Sequence, residues 1–142
     1  MAVNISEKTE WHYGDGAIYG SSQEDDTWER QETHCNKLCG AKMSIIHSRA
    51  QDYAIADSVK TLHAWIGMTR GPGGERYPNA ILKWTDGSNV FYQAVYTDSK
   101  GPGISCKSGC DQKDCIEVDN SGLWKDRECS YKQPAICMIQ LH

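Results

Sequence analysis

The chain has 142 residues, the size of one domain. Apolar residues make up 39% and charged residues 24%, so a core can form but gains from covalent staples, and seven cysteines favour an oxidising, extracellular compartment into which the protein is secreted. A net charge of −4 without a basic cluster argues against a nucleic-acid partner, and no stretch approaches the roughly 20 apolar residues of a membrane span.

Residues 1–10 are polar and read as a loose arm ahead of a domain over 11–142. This arm has no apolar run of the kind a signal peptide needs, and the start Met1-Ala2-Val3 reads as a boundary that replaced a removed leader. Asn4-Ile5-Ser6 fits a glycosylation acceptor, a triplet that also arises by chance. From Trp11 to Ser22 aromatic and small residues alternate, which predicts one or two short strands turning at Gly14-Asp15-Gly16. Asp26 is placed to cap a helix, with Glu29 three residues on and Trp28, Cys35, Leu38 and Cys39 on one face; Gly40 is its stop. Met43 to Ile46 is an apolar connector. A second helix starts at Ser48, with Gln51 completing a capping box and Ala54, Ile55, Val59 and Leu62 as the buried stripe, and ends near His63.

Ala64–Thr69 is a short apolar run bounded by breakers, a strand buried on both faces. Gly71-Pro72-Gly73-Gly74 opens a loop lasting to about Ala80; Ile81–Thr85 is a further strand ending in the turn signal Asp86-Gly87. From Gln93 to Lys113 no regular element is legible. Gly101, Pro102, Gly103 and Gly109 punctuate this stretch and Cys106 and Cys110 lie inside it. About 20 residues without an element is unusual in a compact domain and is often functional. Cys115–Val118, the turn Asp119–Gly122, Trp124–Cys129 and Ala135–Ile139 close the chain as a short meander. The order of elements gives an α+β domain.

The motifs now line up in order: Trp28 and Cys35, Trp65-Ile66-Gly67, Trp84-Thr85-Asp86-Gly87-Ser88, Cys115, Trp124-Lys125-Asp126, Cys129 and Cys137. Over Trp11–Gln140 the chain resembles a C-type lectin-like domain. The His47–Gln51 segment is similar to secreted invertebrate members, nematode ones among them. The resemblance implies two helices flanking antiparallel sheets, a long irregular loop, and two disulfides, Cys35–Cys137 and Cys115–Cys129. Cys106 and Cys110 can bridge within the loop, leaving Cys39 buried on the helix, paired elsewhere or linking two chains; a swap of Cys39 with either loop cysteine stays open.

Calcium-dependent members of the family carry Glu-Pro-Asn or Gln-Pro-Asp in the long loop, a Glu two residues before the third framework cysteine, and Trp-Asn-Asp in the next strand. Calcium takes six to eight hard oxygens, and a sugar diol can supply two of them. In this chain Ser99-Lys100-Gly101 or Gly101-Pro102-Gly103 stands in the loop motif, Lys113 replaces the Glu, and Lys125 replaces the Asn. Only Asp114 and Asp126 remain. Two ammonium groups near a divalent ion oppose its binding. The expectation is therefore no cofactor, with surface carboxylates and ion pairs from Lys113 and Lys125 to Asp114 or Asp126. The alternative is a displaced calcium on Asp98, Asp111, Asp114 or Asp126.

The spacings Cys35-x3-Cys39 and Cys106-x3-Cys110 overlap structural zinc spacing, but Cys35 belongs to the framework. A nucleophilic Cys39 would need an activating histidine, and no constellation supports an enzyme. Gly71–Gly74 lacks the GK[ST] continuation of a phosphate loop. Trp65, Trp84 and Trp124 are core aromatics in the family fold. Tyr77, Tyr92 and Tyr96, in or beside loops, are contact candidates, as are Asp98, Lys113 and Lys125. The reading is a secreted, non-catalytic binding module for a glycan or protein ligand, monomeric or dimeric. A calcium-dependent lectin with a rearranged site and a self-associating structural protein are the alternatives.

Overall fold

The first hairpin turns where the chain can adopt positive φ. Strands β1 (His12–Gly14) and β2 (Ala17–Ser21) pair antiparallel, Gly14 opposite Ala17, and the turn between them holds Asp15 at φ 51° and Gly16 at φ 87°. This is the type I′ geometry that matches strand twist. The structure is a computed structural model that describes residues 10–38, 40–59, 61–70, 82–95, 97–98, 101–102 and 115–141. The N-terminal arm up to residue 9, Cys39, Cys106 and Cys110 lie outside the described residues.

Helix α1 (Trp28–Lys37) begins one residue later than the sequence predicts. Thr27 is its cap and its hydroxyl accepts from the Arg30 amide at 3.4 Å. Asp26 is committed elsewhere: its backbone exchanges hydrogen bonds with Gln133 at 3.1 and 3.0 Å, so the chain cannot turn helical until the next residue. Short strand β3 (Ala41–Met43) follows, then helix α2 (Arg49–Ser58). Ser48 caps the helix as expected, its Oγ accepting from Gln51 N at 3.2 Å, but Gln51 Oε1 reaches one residue past the cap, to His47 N at 2.7 Å, so the reciprocal half of the box is displaced by one residue. The predicted apolar stripe is cut short. Ala54 and Ile55 are buried and Val59 partly so, but the helix ends at Ser58 and Leu62 is 69% exposed. The chain has already left helical spacing to begin the next strand.

That strand, β4 (His63–Arg70), is the centre of the molecule, buried along most of its length. It pairs antiparallel with β5 (Leu82–Trp84) on one side and β8 (Cys115–Asp119) on the other, and β8 pairs with β9 (Trp124–Arg127). The second sheet has the order β1-β2-β10-β3, with β10 (Ile136–Gln140) between β2 and β3. The sheets meet at Trp65, which bridges Ala135, and at Gly67, whose amide donates to Ser44 O at 2.8 Å. A Cβ at Gly67 would lie 2.9 Å from that same carbonyl, so glycine is what lets the backbones approach. In the long loop, two-residue strands β6 (Thr97–Asp98) and β7 (Gly101–Pro102) form a ribbon that the glycine-rich sequence did not reveal.

The core is built on Trp65, Trp124, Tyr19 and aliphatic residues from both sheets, with Trp84 and Trp124 in edge contact at 5.5 Å. Both disulfides that the resemblance implies are formed. Cys35–Cys137 spans 102 residues and ties α1 to β10; Cys115–Cys129 spans 14 and pins β8 to the chain after β9. On a chain-entropy account these loops are worth about 4–5 and about 3 kcal/mol.

Candidate functional site

The surface where the family motifs converge is the end of the sheet made by β4, β8 and β9. Successive side chains of a strand point to opposite faces, so Lys125 and Asp126 diverge. Asp126 lies on the face of Trp124, where Arg70 from the end of β4 meets it. The Arg70 side chain is fully buried, the Asp126 side chain is 8% exposed, and their Nη2 and Oδ2 atoms form an ion pair. Lys125 turns the other way, with Nζ 4.0 Å from Glu117 Oε2. Of the expected pairings of Lys113 and Lys125 with Asp114 or Asp126, those that involve Lys113 or Asp114 lie outside the described residues; strand alternation turns Lys125 toward Glu117 and sets Asp126 against a guanidinium absent from the sequence reading.

Glu117 is fully buried and accepts from two side chains. Arg127 reaches it through Nε and, at 3.4 Å, through Nη2, and Gln133 Nε2 donates at 3.3 Å; His63 Nδ1 lies 2.9 Å away without hydrogen-bond alignment. The Arg127 guanidinium stacks over the Tyr131 ring at 4.2 Å. Burial, and the nearby Lys125 and Arg127 charges, pull the His63 pKa down against the opposing pull of Glu117.

A second buried carboxylate, Asp52 of α2, is 2% exposed. It accepts from the Trp124 indole at 3.0 Å and from the Tyr92 hydroxyl at 3.4 Å. Its pKa is raised from 3.8 to about 6, chiefly by burial, with the Asp119 charge adding to the rise and the two hydrogen bonds opposing it. Tyr92, a contact candidate by sequence, is half-buried against Trp124 at 5.9 Å between centroids. Asp98 is placed in β6, while Tyr77, Tyr96, Asp111, Lys113 and Asp114 lie outside the described residues. Among the described residues no three of His, Cys, Asp and Glu gather as metal ligands, and no helix is long and apolar enough to cross a membrane.

Arg70, Glu117 and Asp52 were missed by sequence reasoning. Asp52 had a signal: it precedes Ile55 by three residues and Val59 by seven, which puts it on the buried stripe of α2. Glu117 had a weaker one, as the polar residue inside the apolar strand Cys115–Val118.

The fold, the two framework disulfides and this sheet end define a C-type lectin-like domain. Residues 24–139 match the model of the lectin C-type domain family, and the chain belongs to that family. Mouse asialoglycoprotein receptor 2 is 26% identical over 130 residues, covering 89% of this chain; the chain spans 40% of the receptor's length. The mouse scavenger receptor C-type lectin carbohydrate-recognition domain superposes with a TM-score of 0.71 at 22% identity, over 93% of this chain and 94% of that one. A calcium-independent type II antifreeze protein superposes with a TM-score of 0.69 at 21% identity, over 99% of this chain and 97% of that one.

Proposed function

We propose that the chain is an extracellular, non-catalytic binding module that takes a glycan or protein ligand through the loop from about Gln93 to Lys113, without the family's usual sugar-binding calcium. The observation that carries this reading is the Arg70–Asp126 pair. Asp126 is the one carboxylate the Trp-Asn-Asp motif retains in this chain, and a buried guanidinium already neutralises it. A calcium ion there would have to displace Arg70 and break a buried ion pair, at a cost of several kcal/mol. Among the described residues, the position of Asp126 does not fit the ion. The substitutions Ser99-Lys100-Gly101, Lys113 and Lys125 support the same reading, and the likeness to a calcium-independent antifreeze protein supports the fold's compatibility with it.

The non-catalytic part of the reading rests on how the buried charges are used. Glu117 is closed by Arg127, Lys125, His63 and Gln133, and Asp126 by Arg70, so each is a structural pair rather than a poised acid or base. An array of glycans probed with and without a chelator tests the reading. Binding that survives the chelator and is lost on substituting residues 97–102, with the melting temperature retained, is expected. Glycan binding abolished by the chelator contradicts it.

A further inference from the structure

We infer that Asp52 is a proton-linked latch on the first residues of the long loop: uptake of a proton by its carboxyl tightens the docking of Tyr92–Val95 onto the core, and its loss loosens it. The inference rests on the reading of that loop as the ligand-binding element.

The geometry places three segments on one carboxylate. Asp52 comes from the first turn of α2. The Tyr92 hydroxyl reaches its Oδ2 from the loop, and the Trp124 indole reaches its Oδ1 from β9. The turn between β8 and β9 closes over it so tightly that a Cβ on Gly122 would lie 2.7 Å from Oδ2. Just beyond, the Trp124 amide donates to Ala94 O at 2.7 Å and Val95 bridges Trp124, so the residues that cover Asp52 are those that begin the loop.

The charged groups facing this site are few. Asp119, at the end of β8, is of like sign. Arg49 of α2 acts on the Tyr92 hydroxyl rather than on Asp52 directly. The carboxylate thus has two neutral hydrogen-bond donors and no cation bonded to it among the described residues. Docking the loop removes the carboxyl from water, which favours its neutral form. The docked carboxyl holds its proton to about pH 6, and a solvated aspartate releases it near 3.8. By linkage, protons favour the docked state. These two values imply a docking equilibrium about tenfold weaker at pH 7.5 than at pH 5.

Hydrogen exchange of the wild-type chain and Asp52→Asn, expressed as protection of the Trp124 amide and indole N–H, tests the latch between pH 5 and 7.5. The expected result is about a tenfold fall in wild-type protection as pH rises, with a flat profile in Asp52→Asn. Superimposable profiles of the two proteins would overturn the inference. If Asp52→Asn does not fold, the carboxyl-carbon resonance of Asp52 in the wild type decides: a midpoint near pH 6 supports the latch, and one below pH 4.5 refutes it. Because these readouts need no ligand, a failed glycan array would count against the binding loop and not against the latch.

Discussion

Two aspartates of the same small domain turn their side chains inward, yet their surroundings differ in kind. Asp126 is paired with a guanidinium. Asp52 faces an indole and a phenol, and burial pushes it toward its protonated form. Only the first carries a full opposite charge beside it among the described residues. The second answers to pH. Glu117 belongs with Asp126, since Arg127 and Lys125 compensate it. The sheet end is therefore electrostatically closed, and the start of the loop is electrostatically adjustable.

The sharpest way to break this contrast is to remove one partner of a closed pair. Arg70→Met should cost about 3–5 kcal/mol in urea denaturation, because it removes one partner of a buried ion pair. Arg70→Met combined with Asp126→Leu should recover most of that loss, since a buried pair replaced by apolar residues is often near neutral. If the single and double variants were equally unstable, the damage would lie in packing rather than charge. Glu117→Gln should cost less than Arg70→Met, since the Arg127 side chain is 31% exposed and water screens its charge.

Asp52→Asn should act in the opposite sense. A carboxyl whose folded pKa is raised gives its most favourable contribution below the unfolded value, and that contribution is lost as pH rises through about 4–6. The asparagine variant should therefore gain stability over the wild type at pH 7.5, by up to about 3 kcal/mol, and the advantage should vanish near pH 4. Denaturation midpoints at the two pH values check the sign. The smallest effect belongs to Lys42 and Asp86, a partly exposed pair at 3.4 Å: Lys42→Ala should shift stability by less than about 1 kcal/mol.

Much of the scaffold was legible in the residues. The cap at Ser48, the turn at Asp15-Gly16, the buried run of β4 and both framework disulfides follow from local chemistry or from the family motifs. The cap at Thr27 was not, because a long-range bridge from Asp26 to Gln133 decides it. The exposure of Leu62 was not, because the chain leaves the helix before reaching it. At the site, the lysines at 113 and 125 were visible in the sequence, but the pairing of Asp126 with Arg70 was not. Arg70 and Asp126 are separated by 56 residues, and only the register of β4, β8 and β9 brings them together. Tyr92 shows the converse: its loop position suggested a ligand contact, and its hydroxyl is turned to Asp52.

Calcium titration of the purified chain, followed by calorimetry and by the thermal midpoint, tests the central claim most directly. With Arg70 holding Asp126, millimolar calcium should release no binding heat, and neither calcium nor chelator should move the midpoint. Saturable heat, together with a midpoint that rises with calcium as mass action on the folded state requires, would contradict it.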